Sequence, residues 1–150
     1  MILWRISNHL SLAGDGGMRA SGRWHTRGHR VVYCSENPAA ALLEIVVHFE
    51  IELRDLPTRY RLLKIRAPEN LVVEQVPPEH LPADWTEQTA MTRSRGDRWL
   101  DANNSALLRV PSVVVPETFN VLLNPAHQDA RGVVVVQETE HAIDPRLVWW

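Results

Sequence analysis

Five of the seven glycines in this 150-residue chain fall between Gly14 and Arg30, interleaved with Arg19, Arg23, Arg27 and Arg30. A stretch so rich in glycine loses too much backbone entropy on folding to sustain a strand or a long helix. It is expected as a loop, and it separates an opening strand from a strand–helix unit. The opening strand is Ile2-Leu3-Trp4-Arg5-Ile6-Ser7, which alternates apolar and polar residues toward its end and projects Arg5. After the loop, Val31-Val32-Tyr33-Cys34 reads as a short β-branched strand.

Ser35-Glu36-Asn37-Pro38 then supplies capping side chains followed by a proline suited to a first helical turn. A helix is expected from there to Phe49, with Leu42, Ile45, Val46 and Phe49 on one stripe and Ala40, Ala41, Glu44, Val47 and His48 on the adjoining one. Tyr60–Ile65 and Leu71–Glu74 are expected strands, with Ala67-Pro68-Glu69-Asn70 as the turn between them. Val76–Trp85, with three prolines, is expected as an irregular connection. Gly96-Asp97 is expected to cap a short helix through Trp99 and Leu100. Leu107–Val115 and Phe119–Leu123 are further strands, and Pro111 and Pro116 point to edge positions or bends in the first of them. Val133–Val136 is one more strand, and the tail ends in Trp149 and Trp150.

The length suits one domain, residues 1–150, and no repeat or linker argues for a second. With 45% hydrophobic and 23% charged residues, the chain has the profile of a soluble globular protein. A net charge of −2 and a single lysine, Lys64, leave no basic patch for binding DNA directly. No apolar run is long enough to cross a bilayer, and the N-terminus lacks the order of a signal peptide, so a cytoplasmic location is expected. Cys34 is the only cysteine, which rules out an internal disulfide and favours a buried thiol.

Several side chains are candidates for chemistry. The glycine–arginine loop can cradle a phosphate with backbone amides and guanidinium groups, but it lacks the spacing of a dinucleotide fingerprint or P-loop, so a plain surface loop fits as well. Glu44 sits in an otherwise apolar helix; it is either a solvated glutamate beside alanines or an acid that stabilises positive charge on an anomeric carbon. Tyr33 can stack on a flat ring or fill a core position. Ser112 and Asn124 are small polar groups near strand ends, and His25, His29 and His48 are possible neighbours of a site. No H-E-x-x-H or nucleophile-elbow pattern occurs, so neither a metal nor a serine or cysteine nucleophile is expected.

Taken in order, Arg5, Ser21-Gly22-Arg23-Trp24-His25 with Gly28, Tyr33, Ala41-Leu42-Leu43-Glu44, Gly96-Asp97-Arg98-Trp99-Leu100, Val110-Pro111-Ser112, Leu123-Asn124-Pro125 and Asp144-Pro145-Arg146-Leu147 resemble the RES family. That family takes its name from an arginine, a glutamate and a serine. Two positions depart from its pattern: Ser21 precedes Gly22 where a second glycine is usual, and His25 follows Trp24 where asparagine is common.

The resemblance implies an α+β single domain, with a mixed or antiparallel sheet and flanking helices, related to ADP-ribosyltransferases. It implies a toxin whose substrate, not cofactor, is NAD⁺, cleaved at the nicotinamide–ribose bond by hydrolysis or phosphorolysis. Transfer of ADP-ribose to a protein of nucleotide metabolism is the alternative, and a non-catalytic binding module a third. An Xre-type helix-turn-helix antitoxin is the implied partner, with DNA reached only through it and a homodimeric toxin within the complex. By the same resemblance Arg5 and Arg23 take the pyrophosphate, Tyr33 the nicotinamide or its ribose, and Glu44 the ribose hydroxyl and developing cation. Ser112 orients Glu44 or the sugar, and Trp24 and Asn124 complete the substrate-binding set.

Overall fold

Consecutive residues of the strand Phe119–Leu123 are buried on opposite sides: Val121 and Leu123 join one apolar cluster with Leu3, Val32, Leu63 and Leu107, while Leu122 joins another with Trp24, Trp99, Leu108 and Val110. A strand side chain alternates faces, so a sheet with both faces covered must run through this point. The computed structural model describes residues 1–48 and 58–147. Phe49, Trp149 and Trp150 lie outside the described residues.

The strands are β1 (Ile2–Ile6), β2 (Val32–Ser35), β3 (Arg59–Arg66), β4 (Val73–Gln75), β5 (Leu107–Pro111), β6 (Phe119–Leu123) and β7 (Val134–Ala142). The helices are α1 (Asp15–Arg19), α2 (Pro38–His48) and α3 (Thr89–Ala102). The strands form one seven-stranded sheet in the order β4-β5-β6-β2-β1-β3-β7. Only β4 and β5 run parallel; every other pair is antiparallel. This is the α+β architecture expected from the sequence.

Helix α2 begins where the sequence places it, because the Asn37 side chain accepts the Ala40 N–H at 2.8 Å and Pro38 fills the first turn. Its buried face draws on both of the stripes read from the sequence. Ala40, Ala41 and Val46 are buried, whereas Leu43 and Val47 are exposed, since small side chains let the helix approach β1 and β2 closely.

Four expectations are corrected. The glycine-rich segment is not all loop: Asp15–Arg19 makes a short helix, entered through Gly14 in the left-handed region. Gly96-Asp97 does not cap a helix but lies inside α3, which starts at Thr89. There the bare Cα lets the helix touch the chain at Trp24, as a Cβ on Gly96 would lie 1.6 Å from the Trp24 carbonyl oxygen. Strand β7 is longer than the Val133–Val136 run, because its second half is a polar edge paired with β3. Pro111 marks the end of β5, which is an interior strand, so the bend reading holds and the edge reading does not.

Asn124 closes the end of this framework. Its Nδ2 donates to Asn103 Oδ1 at 2.9 Å, its Oδ1 accepts the Ala126 N–H at 3.1 Å, and its backbone N–H donates to the Ala106 carbonyl at 2.9 Å. Asn103 ends α3 in the left-handed region, so this clasp fixes how α3 hands over to β5 and β6. Asn124→Ala would remove both side-chain bonds of this clasp, and a loss of about 2 kcal/mol, or roughly 4–8 °C in Tm, is expected in thermal unfolding.

Candidate active site

A cavity of about 460 Å³ opens between β1, β2, β6, helix α2 and the glycine-rich segment. Strand β1 contributes Trp4 and Arg5, the segment after α1 contributes Gly22, Arg23, Trp24 and His25, and β2 contributes Tyr33, Cys34 and Ser35. Ala41, Glu44 and His48 face it from α2, and Asn120 from β6. A chamber of this size suits a small organic ligand rather than a protein segment held flat.

Glu44 is fixed through one carboxylate oxygen. Its Oε1 accepts from Ser112 Oγ at 2.9 Å and from Asn120 Nδ2 at 2.7 Å. The Ser112 hydroxyl is itself oriented, because its oxygen accepts the N–H groups of Val114 and Val115 at 3.1 and 3.2 Å, leaving its proton for Glu44. Asn120 is oriented in turn by Ser35, whose hydroxyl donates to Asn120 Oδ1 at 2.8 Å. That contact follows from strand register, as Ser35 and Asn120 are direct partners across β2 and β6. Among the described residues, Glu44 Oε2 has no hydrogen-bond partner. The acid is therefore held from behind with one oxygen left for a guest.

Positive charge lines the same space. Burial lowers the Arg5 guanidinium below its ordinary value, though arginine stays cationic at neutral pH, and its only side-chain hydrogen bond among the described residues is a long one, Nη1 to the Ser11 carbonyl at 3.5 Å. Arg23 is anchored through Nη1, which donates to the Thr86 carbonyl at 2.8 Å and to Thr89 Oγ1 at 3.0 Å. Its other donors have no partner among the described residues, so the anchored side chain keeps a free fork. Behind it, Arg93 Nε donates to the Gly22 carbonyl at 2.8 Å and Thr92 Oγ1 to the Arg23 carbonyl at 2.7 Å, tying the segment to α3.

Tyr33 stands on the cavity wall with its hydroxyl turned into the protein. Its oxygen accepts the Trp24 N–H at 3.0 Å and lies 2.9 Å from His25 Nδ1. Burial raises the phenol above its ordinary value and lowers His25 below its own. Trp24 is almost fully buried, packing beside Trp85 with ring centroids 6.0 Å apart, so it holds the arginine-bearing segment in place. Cys34 is buried, and burial pushes its thiol up to about 12, away from the reactive thiolate.

Of the residues singled out in the sequence, the structure brings Arg5, Arg23, Trp24, Tyr33 and Glu44 onto one cavity, with Ser112 bonded to Glu44 from behind. Asn124 is not among its lining residues; its side chain is spent on the α3 clasp. Asn120, Ser35 and Arg93 were missed. Asn120 carried one faint signal, a polar residue inside an otherwise apolar strand, whereas Ser35 read as a helix cap and Arg93 as one arginine among several. Among the described residues, no group of three or more His, Cys, Asp or Glu side chains could hold a metal ion.

A half-buried acid held by a serine and an asparagine, facing two arginines across a small-molecule cavity on a mixed seven-stranded sheet, defines a class of site suited to a small anionic ligand. The match to the RES domain model spans residues 2–149, and the chain belongs to that family. It is 44% identical to Toxin Res of Pseudomonas putida over 147 residues, covering 98% of this chain and 99% of that protein. It is 36% identical to the Prs ADP-ribosylating toxin of Sphingobium sp., covering 97% and 95%. A chain of the M. tuberculosis MbcT–MbcA toxin–antitoxin complex shares the fold with a TM-score of 0.78 at 16% identity, over 98% of this chain and 86% of that one.

Proposed function

We propose that this chain is the toxin of a toxin–antitoxin pair and that it cleaves the nicotinamide–ribose bond of NAD⁺, with water or phosphate as acceptor. The observation that carries the reading is Glu44, clamped through Oε1 and open at Oε2, in a cavity that also holds Arg5, Arg23 and Tyr33. The names of its relatives, two of which are given above as toxins, support the biological role.

In this reading the pyrophosphate lies against the guanidinium groups of Arg5 and Arg23, whose charge-assisted bonds set the dinucleotide's register. The nicotinamide ring lies against Tyr33. Glu44 Oε2 accepts a hydrogen bond from a ribose hydroxyl next to the anomeric carbon. The bond from that carbon to the pyridinium nitrogen breaks, its electron pair passes to nitrogen, and neutral nicotinamide leaves. Positive charge develops on the ribose, where the fixed carboxylate stabilises it more than in the ground state. The acceptor then attacks the same carbon with a lone pair and loses its proton. Transfer of ADP-ribose to a protein shares every step but this last one.

The test is nicotinamide release from NAD⁺ by purified protein, with and without inorganic phosphate. Release in both, with ADP-ribose formed in water and its anomeric phosphate formed in phosphate buffer, supports the reading. Nicotinamide release that appears only with a protein acceptor would replace it with transfer, and no release with any acceptor would remove it. Arg23→Ala is expected to raise KM for NAD⁺ by roughly ten- to hundredfold, the loss of one charge-assisted contact of about 1.5–3 kcal/mol, with a smaller effect on kcat. In cells, the arrest caused by the toxin should be relieved by co-expressing a small helix-turn-helix partner, which we also take to carry any contact with DNA.

A further inference from the structure

We propose that His25 is a positioning residue whose neutral ring fixes Tyr33 in the cavity wall, so that turnover is lost when the ring takes up a proton. This deepens the NAD⁺ reading and rests on it.

The hydrogen-bond pattern assigns each proton. His25 Nε2 lies 2.9 Å from the Ala20 carbonyl oxygen, which can only accept, so Nε2 carries the hydrogen. In the neutral ring Nδ1 then holds a lone pair. Tyr33 Oη already accepts the Trp24 N–H, so its one proton goes to His25 Nδ1 at 2.9 Å. The chain runs from the Trp24 amide through the phenol and the imidazole to Ala20, with every group in its fitting role.

The space around it leaves little room to adjust. A Cβ on Gly22 would lie 2.6 Å from Tyr33 Oη and 2.9 Å from the His25 ring, so glycine is what lets the loop close over this pair. The ring centroids of His25 and Tyr33 are 5.6 Å apart, and His25 is buried. A proton added at Nδ1 would face the hydroxyl proton across a single hydrogen-bond distance. The hydroxyl must then turn away, the bond between the two rings reverses, and the buried phenol proton is left without an acceptor among the described residues, which releases the Tyr33 ring from its position.

Charged and titratable groups face this pair from several sides. Asp97, from α3, and the carbonyls of Ala20 and Gly17 favour a charged imidazole; burial and His29 oppose it, and burial is the largest influence, so His25 titrates below its ordinary value. Arg93, from α3, and Arg23, from the loop, bring positive charge toward Tyr33.

Two measurements test this. The first is the pH profile of kcat/KM for nicotinamide release from about pH 5 to 8 in the wild type, H25N, H25F and Y33F. Asparagine places its Oδ1 where Nδ1 stood and cannot be protonated, so H25N is expected to rescue activity and to lack the acid limb of the wild type. Phenylalanine keeps the bulk but offers no acceptor, so H25F is expected to lose roughly ten- to hundredfold at every pH through misplacement of the ring. Y33F should lose the acid limb as well. An acid limb that persists unchanged in H25N overturns the proposal, as does wild-type behaviour of both histidine variants. The second measurement needs no turnover: imidazole nitrogen NMR should find His25 as the Nε2–H tautomer, with an altered Nδ1 shift in Y33F. An Nδ1–H tautomer overturns the proposal even if NAD⁺ is not the substrate, whereas absence of nicotinamide release at every pH with the expected tautomer removes only the NAD⁺ reading.

Discussion

Glu44→Gln is expected to fold as the wild type does and to release nicotinamide at least about 10²- to 10³-fold more slowly, the scale set by losing one preorganised electrostatic group from a transition state. The glutamine carbonyl can still accept from Ser112 Oγ and Asn120 Nδ2, the two bonds that hold Glu44 Oε1. What changes is the oxygen that faces the cavity: an N–H₂ donor now stands where an anion stabilised the ribose cation. Melting temperature and circular dichroism should therefore match the wild type, while growth arrest disappears. Glu44→Ala would also free Ser112 and Asn120 and so confuse positioning with chemistry. Full activity in the glutamine variant would remove Glu44 from the mechanism and leave the cavity a binding site.

Gly96→Ala is expected to be the most damaging single substitution in the framework, although it lies outside the cavity. Two effects oppose one another. Alanine is better than glycine inside a helix by about 1 kcal/mol. Against that, the new Cβ would sit 1.6 Å from the Trp24 carbonyl oxygen and 2.7 Å from its carbon, both backbone atoms that cannot swing aside. Helix α3 and the Arg23–Trp24 segment must separate, at a cost that exceeds a methylene of core overpacking, so a net loss of about 3 kcal/mol or roughly 6–12 °C in Tm is expected. The same separation breaks the bonds from Thr92 and Arg93 to the segment, so KM for NAD⁺ should rise even in the fraction that remains folded. A variant with unchanged Tm would show that the segment relaxes freely and that α3 does not position Arg23.

Much of the framework was legible because local chemistry and global packing agree there. Asn37-Pro38 starts α2, the apolar runs at β2, β5 and β6 are strands buried on both faces, and Glu44 stands out because an acid on an apolar helix needs a reason. Other elements hid for identifiable reasons. Helix α1 contains two glycines, each a poor helix former, and it exists because Gly17 must lie against the His29 carbonyl. The first half of α3 has no apolar stripe, since Thr92 and Arg93 dock it through polar bonds to Arg23 and Gly22. The polar half of β7 offered no apolar pattern because it is a sheet edge.

The order of residues determined which chemical groups the chain possesses and where α2 and most of its strands begin: caps, alternation and helical spacing act over a few residues and can be read along the line. Which groups meet was decided only in three dimensions. Asn120 reaches Glu44 because β6 pairs with β2 in one register, Ser112 because the turn after β5 folds behind α2, and His25 finds Tyr33 because Gly22 leaves room for the loop to close. Such contacts join residues as many as 76 positions apart, and their energies depend on distance in space rather than along the chain.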